Sequence, residues 1–212
     1  MANTNNVIIK SAWVLGLFSL IGIGIVSLTH GVTADKIIEN QRLFVLKNLR
    51  ALVPDEMHDN DLLSDVIEFS DPDSFGNKHP VKIYKAFKDQ QLVAIIASPT
   101  AADGYNGSIK LLVAIQKNGE LIGVRVVSHQ ETPGLGDAID SNKSDWIYSF
   151  AGLSLSKPKL QDWQVKRDGG HFDQFTGATI TPRAVVKAVR KTLQYYQVNK
   201  DKLVTQQNNL DG

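Results

Sequence analysis

The sequence predicts an α+β fold in which one domain, built from an antiparallel sheet and flanking helices, follows a single transmembrane helix. Three observations support this prediction. An apolar stretch lies near the amino end, four short runs rich in β-branched residues follow one another with turns between them, and a helical apolar period lies near the carboxyl end. The 212 residues are enough for one ordinary domain with an appendage, whereas two full-sized enzyme domains would not fit.

The predicted transmembrane helix comprises residues 11–32 and follows a short amino end, residues 1–10. The stretch contains no Lys, Arg, Asp or Glu, and about twenty apolar residues are needed to span a bilayer as a helix. The alternatives are a buried core helix and a cleaved signal peptide. The signal peptide is an alternative because Val32-Thr33-Ala34 resembles a cleavage site. A signal-peptide core has only about 7–15 apolar residues, so the length of this stretch favours a retained anchor.

Charge alone does not settle the orientation of this helix. Lys10 and the free amine mark the amino end as cytoplasmic, but basic residues on the other side compete under the positive-inside rule: Lys36, Arg42 and Lys47. Beyond the membrane, residues 33–54 have apolar side chains at a helical spacing until Pro54 stops the pattern. We therefore expect an amphipathic stalk helix there.

Residues 55–197 are predicted to form the domain, which opens with a loop-rich polar segment. The expected strands are residues 81–87, 92–97, 109–116 and 121–128. Asn118-Gly119 between the last two is typical of a hairpin turn, which makes the sheet antiparallel. The elements expected after them are a short helix at 144–150, a strand at 163–167, a longer helix at 182–196 and a polar tail at 198–212.

Composition excludes several functions. The formal net charge of +1 gives no basic field for phosphates, so nucleic acid is not an expected partner. The absence of cysteine excludes disulfides, thiol nucleophiles and iron–sulfur ligation. The five histidines show no close ligand spacing, and we predict no metal site. Any redox chemistry therefore requires a cofactor that is held in another way.

A hydroxyl-rich segment, residues 173–179, precedes the last predicted helix. Thr181 is a suitable N-cap and Pro182 suits the first helical position. Thr179 is then expected beside a helix amino terminus, where free N–H groups and the helix dipole favour a phosphate. Gly177-Ala178 leaves its hydroxyl unshielded. An ordinary surface turn before a capped helix explains the same residues.

Three further features predict ligand contacts. After the last hairpin strand, Gly134 and Gly136 flank Leu135 and allow the close approach of a flat ligand, although a tight surface turn has the same pattern. In the same stretch, Glu131 and Thr132 offer polar contacts. The other two features are an earlier turn that carries Tyr105 and Gly107, and a lone basic residue, Lys166.

These segments resemble the FMN-binding domain of two membrane redox complexes, the Rnf (Rsx) electron-transport complex, in its G subunit, and the sodium-pumping NADH:quinone reductase, in its C subunit. The resemblance implies that Thr179 carries FMN in a phosphoester bond made by a dedicated flavin transferase. The implied recognition residues are Asp173, Thr176, Gly177 and Ala178, and Thr176 and Thr181 are rival hydroxyls. The stretches that line the flavin are implied to contribute Tyr105, Gly107, Glu131, Thr132, Gly134, Leu135 and Gly136, and Lys166 is expected near the flavin or its phosphate.

The length and compactness of the chain favour the Rnf-type protein over the quinone-reductase type. The resemblance then implies an electron relay between ferredoxin and NAD, coupled to ion movement, with the other membrane subunits as partners. It places the domain on the periplasmic side of a bacterial inner membrane. The alternatives are a C-type subunit and a non-catalytic periplasmic binding module that has the fold without the flavin. A free-standing flavin reductase is disfavoured because no Gly-x-Gly-x-x-Gly fingerprint follows a strand.

Overall fold

A computed structural model describes residues 2–69, 71, 75 and 80–205. Its first element is one continuous helix, α1, Ala2–Leu52. The predicted amino end, membrane stretch and stalk are therefore one helix, and no break occurs near residue 33, because no proline interrupts the sequence before Pro54. A window within α1 has a mean hydropathy of 2.1 and is not buried, so α1 is long and apolar enough to cross a membrane.

The chain contains two compact units, Met1–Val45 and Leu46–Gly212. In the second unit, six strands form one antiparallel sheet: β1 Val66–Phe69, β2 Val81–Lys88, β3 Gln91–Ala97, β4 Thr100–Ala101, β5 Ile109–Gln116 and β6 Leu121–Ser128. The order is β1-β2-β3-β5, and β5 also pairs with β4 and β6. The four predicted strands and the hairpin at Gly119, whose φ is +92°, are confirmed.

Both faces of the sheet are covered, which explains why its strands are almost continuously apolar. Helix α2, Ile180–Thr205, buries one apolar side against the core: Val185, Val189 and Leu193. The last turn of α1 also contributes buried residues to the second unit, with Leu49 at 0% and Leu52 at 3% exposure. A Cβ on Gly123 of β6 would lie 3.1 Å from Leu52 Cδ2, so this turn packs directly on the sheet.

Several predicted elements in the carboxyl half are wrong in type or length. Residues 163–167 do not form a strand, because the chain makes a single bridge, Val165 to Phe172, and then enters a 3₁₀ turn, Lys166–Asp168. The short helix at 144–150 is a 3₁₀ helix, Trp146–Phe150. Helix α2 starts two residues earlier than predicted and continues through residues 198–205 of the expected polar tail. It does so because Leu203 is fully buried. Residues 206–212 of that tail lie outside the described residues.

Candidate functional site

A cavity of about 580 Å³ lies where three segments meet the start of α2. The segments are the turn after β4, the chain that follows β6 and the residues that lead into α2. The lining residues are Tyr105, Glu131, Thr132, Leu135, Gly136, Arg167, Gly177, Ala178, Thr179, Ile180, Thr181 and Arg183. Eight of these residues are sequence-predicted site residues, so the separate motifs converge on one cavity.

One side of the cavity, which we call the Glu131 wall, is formed by residues 129–136. Glu131 is 4% exposed. One carboxylate oxygen, Oε1, accepts the backbone N–H of Asn106 at 3.1 Å, and the other, Oε2, accepts the hydroxyl of Thr181. Asn106 also donates from its side chain to Thr132 Oγ1 at 3.0 Å. Glu131 therefore links the turn after β4 to the first turn of α2, and both of its oxygens are already bonded to protein.

The two glycines of the Glu131 wall are favoured at their positions for different physical reasons. A Cβ on Gly136 would lie 2.9 Å from Glu131 Oε2 and from Thr181 Oγ1, so only glycine fits against this hydrogen bond. Gly134 has open space around it but a φ of +77°, which disfavours other residues. From the sequence, we interpreted both glycines as positions that allow the close approach of a ligand. The structure shows that Gly136 makes room for the hydrogen bond between Glu131 and Thr181.

A second segment of the lining, residues 173–179, is called the Thr179 loop. Phe175 packs edge-on against Trp146, with 5.2 Å between ring centroids, and Trp146 Nε1 donates to the carbonyl of Asp173 at 2.8 Å. The N–H of Ala178 donates to the carbonyl of Phe175 at 3.2 Å, and Gly177 has a φ of +80°. This tight turn presents Thr179 to the cavity immediately before α2 begins.

The structure separates the three candidate hydroxyls. Thr179 is half-buried at the cavity, and its hydroxyl forms no hydrogen bond within the part of the chain that the structure describes. Thr176 is exposed and does not line the cavity. Thr181 is fully buried and donates to Glu131. The prediction of Thr181 as the N-cap is therefore wrong, because α2 begins at Ile180 and Thr181 lies inside its first turn.

Charged side chains surround the Thr179 loop. Arg183 donates from Nε and Nη2 to the two carboxylate oxygens of Asp168, each at 2.6 Å. This hydrogen bonding lowers the pKa of Asp168 and raises the pKa of Arg183. Lys166 pairs with Asp173 at 2.6 Å, and neither of these two residues lines the cavity. The cations that do line it are Arg167 and Arg183.

Some predicted site residues do not line the cavity, and some residues that line it were not predicted. The predicted residues that do not line the cavity are Gly107, Gly134, Lys166, Asp173 and Thr176. The sequence analysis did not assign Arg167, Ile180 or Arg183 to the site. Arg183 is four residues after Thr179, and this helical spacing was a usable signal. Arg167 has no such signal. The described residues contain no group of His, Asp or Glu that could hold a metal ion.

Comparison with known proteins matches both parts of the chain. A family described as an FMN-binding domain matches residues 104–194, which include the whole cavity, so the class of the domain is that of FMN-binding proteins. A second family, described as the RnfG N-terminal region, matches residues 1–52.

Full-length relatives identify the family more closely. The chain is 46% identical over 204 residues to the G subunit of an ion-translocating oxidoreductase complex from Shewanella loihica, with 96% of each chain covered. It is 43% identical over 203 residues to a protein of the same name in Vibrio cholerae, with 96% of this chain and 97% of the relative covered. The chain therefore belongs to the family of G subunits of ion-translocating oxidoreductase complexes, and the predicted resemblance to the Rnf protein is confirmed.

Proposed function

We propose that this protein is the electron-carrying G subunit of an Rnf-type ion-translocating complex and holds one FMN in a phosphoester bond to Thr179. The observation that carries the proposal is the hydroxyl of Thr179. It lies at the cavity, forms no hydrogen bond with the described residues, and belongs to a domain of the FMN-binding family. Of the two other hydroxyls nearby, that of Thr176 does not line the cavity, and that of Thr181 donates a hydrogen bond to Glu131.

The residues of the cavity fit this cofactor in size and chemistry. Small-molecule sites enclose roughly 300–1,000 Å³, and this cavity encloses about 580 Å³. Leu135, Ile180 and Tyr105 offer exposed apolar or aromatic surface to a flat ring. The guanidinium groups of Arg167 and Arg183 suit a phosphate, and so do the free N–H groups at the start of α2.

Attachment requires an activated flavin. A free phosphate monoester does not esterify an alcohol in water, so the donor carries FMN through an anhydride, as a flavin dinucleotide does. The Oγ of Thr179 forms the new P–O bond, the anhydride P–O bond breaks, and the nucleoside monophosphate leaves. The hydroxyl proton goes to a base of the flavin transferase, because no described residue accepts a hydrogen bond from the hydroxyl of Thr179.

When bound, FMN supplies one-electron chemistry. The chain itself holds and orients the group, with the Glu131 wall fixed by buried hydrogen bonds and the Thr179 loop fixed by Trp146 and Phe175. We place this relay between ferredoxin and NAD, in a complex with other membrane subunits. Helix α1 is the single-pass anchor in a bacterial inner membrane, and the domain lies on the periplasmic side.

The attachment is tested by expressing the full chain with a flavin transferase. The wild type should gain the mass of one FMN and should show flavin fluorescence in a denaturing gel. Thr179→Ala should lose both signals completely, whereas the matched control Thr179→Ser, which keeps a hydroxyl at this position, should keep a covalent flavin. Flavin retained in Thr179→Ala and lost in Thr176→Ala would contradict the assignment. A colourless, unmodified wild type would favour the non-catalytic binding module.

The relay is tested with the purified, flavin-loaded chain. A strong chemical reductant should reduce it, and NADH should do so only slowly, because the chain contains no nicotinamide-binding fingerprint. Turnover with NADH at the rate of an ordinary dehydrogenase would show a self-sufficient reductase instead.

The location is tested with a reporter joined after Gly212. A reporter that works only in the periplasm should be active. Activity of a reporter that works only in the cytoplasm would reverse the proposed orientation, and a mature chain that starts at Asp35 would show that the anchor is cleaved.

A further inference from the structure

The cavity contains two guanidinium groups that the attachment motif does not include. Arg167 comes from the 3₁₀ turn Lys166–Asp168, and Arg183 comes from the first turn of α2. They are the cationic members of the described lining, and Glu131 is its acidic member. Both oxygens of Glu131 accept hydrogen bonds from the protein, so the charged groups of the described lining that can donate to a ligand beside Thr179 are the two guanidinium groups.

The two arginines differ in what they already contact. Arg183 is committed to Asp168 through two hydrogen bonds of 2.6 Å. The guanidinium of Arg167 forms no hydrogen bond or ion pair with the described residues, whereas its neighbour Lys166 is paired with Asp173 at 2.6 Å. Arg167 is therefore the cation of this site that remains available to an anion.

The backbone holds Arg167 next to the Thr179 loop. Its N–H donates to the side-chain oxygen of Gln174 at 3.2 Å, and Gln174 belongs to that loop. The N–H of Lys166 donates at 2.7 Å to the carbonyl of Phe172, the residue immediately before the loop. Arg167 is thus placed beside Thr179 by its own turn, although the two residues are twelve positions apart in sequence.

The proposed link would place one anionic group beside Thr179. A phosphate esterified on both sides carries one negative charge, and the phosphate that joins a flavin to Thr179 is such a diester. Arg183 is already paired with Asp168, so the guanidinium of Arg167 is the group left to pair with this charge. Guanidinium groups bind phosphate oxygens through charge-assisted hydrogen bonds, often two at once.

We propose that Arg167 binds the phosphate that links the flavin to Thr179, in an ion pair that forms only when the cofactor is attached. This inference rests on the proposed function. It assigns the phosphate contact to Arg167 and not to the adjacent Lys166.

The test uses the full chain in detergent, prepared with and without flavin transferase, as wild type, Arg167→Gln and Lys166→Gln. Lys166→Gln is the matched control because it removes the same charge from the next residue, which does not line the cavity. Intact mass reports loading, and circular dichroism gives the melting temperature of each loaded and unloaded form. The quantity compared is the rise in melting temperature on loading.

Wild type and Lys166→Gln should show the same rise, and Arg167→Gln should lose most of it. The wild-type rise should also shrink at high salt, because screening weakens an ion pair near the surface. At limiting transferase, attachment to Arg167→Gln should be slower by about ten-fold or more, as expected for one lost charge-assisted hydrogen bond. Complete loss of loading in a folded Arg167→Gln, with normal loading of Lys166→Gln, supports the same contact.

Equal rises in all three loaded chains, or equal losses in both variants, would overturn the role of Arg167 while leaving the flavin site in place. A wild type that never gains the mass of FMN would instead overturn the proposed function, and the role of Arg167 with it. The intact mass of the wild type separates these two failures.

Discussion

The Glu131 wall and the Thr179 loop line the same cavity but are stabilised in different ways. In the Glu131 wall, a carboxylate that is 4% exposed accepts hydrogen bonds from two other segments. Around the Thr179 loop, the charged pairs are exposed, with Lys166 on Asp173 and Arg183 on Asp168.

This difference in burial determines how costly it is to disturb each part of the site. Buried, fully hydrogen-bonded groups are costly to disturb, whereas exposed ion pairs contribute little to stability. The Glu131 wall therefore acts as the fixed part of the site, and the Thr179 loop carries the groups that remain available to a ligand. Replacements on the two sides should differ accordingly.

The largest effect is expected from Glu131→Ala. It leaves the hydroxyl of Thr181 and the N–H of Asn106 without their acceptor, and should lower the free energy of unfolding by about 3 kcal/mol. Glu131→Gln keeps the shape and one acceptor, and should cost about 1 kcal/mol. Thr179→Ala is the control from the other side and should change stability by less than about 0.5 kcal/mol. Urea unfolding of the full chain in detergent measures all three, and a loss in Thr179→Ala as large as in Glu131→Ala would remove the contrast.

A smaller effect within the Glu131 wall is expected from its two glycines. Gly136→Ala places a Cβ 2.9 Å from Glu131 Oε2 and should cost about 2 kcal/mol, because the buried hydrogen bond has to shift. Gly134→Ala meets no atom within 4 Å, but its φ of +77° should cost about 1 kcal/mol. The same urea experiment ranks them. If Gly134→Ala is the more damaging, backbone conformation matters more in this wall than the packing around Glu131.

The smallest effect is expected at Asp168. Hydrogen bonds from Arg183 lower the pKa of Asp168 in the folded state, so this pair stabilises the fold at neutral pH and the contribution is lost as the pH falls through the lowered pKa. Asp168→Asn should therefore reduce the loss of stability between neutral and acid pH. The reduction should be small, since the pair is exposed. Melting temperatures between neutral and acid pH measure it.

Asp103→Asn is the matched control for Asp168→Asn, because Lys187 lowers the pKa of Asp103 in the same way outside this cavity. Both variants should change the pH dependence of the melting temperature by similar amounts. An acid effect of Asp168→Asn larger than the loss in Glu131→Ala would contradict the ranking of the two sides.

The sequence predicted most of the sheet because its strands carry their own signal. Asn118-Gly119 and the β-branched runs around it specify a hairpin locally. The missed strands are short: β4 has two residues, and β1 has four within a polar segment. The extension of α2 depends on the burial of Leu203, and the loss of the expected strand at 163–167 depends on a turn. Neither is visible in local periodicity.

Only part of the site was predicted, because tertiary contacts of the site residues are likewise not visible in the sequence. The motifs placed eight residues at the cavity, but a motif does not state what each side chain contacts. Glu131 was expected to offer a polar contact to the ligand, yet its oxygens bind Asn106 and Thr181. Arg167 was not predicted because its position depends on the 3₁₀ turn and on Gln174, which are both tertiary features. Whether these residues bind FMN stays a prediction.

The packing of Leu49, Leu52 and Val53 decides where the chain can be cut. All three are at most 3% exposed and belong to the unit that starts at Leu46, whereas the sequence predicted a domain that starts at residue 55. A protease that cleaves before Leu46 would release a domain with its core intact. Cleavage after Val53 would remove the apolar cover from Gly123 and the sheet around it, and leave a fragment prone to aggregate. The carboxyl end of α1 is thus also the first element of the second compact unit.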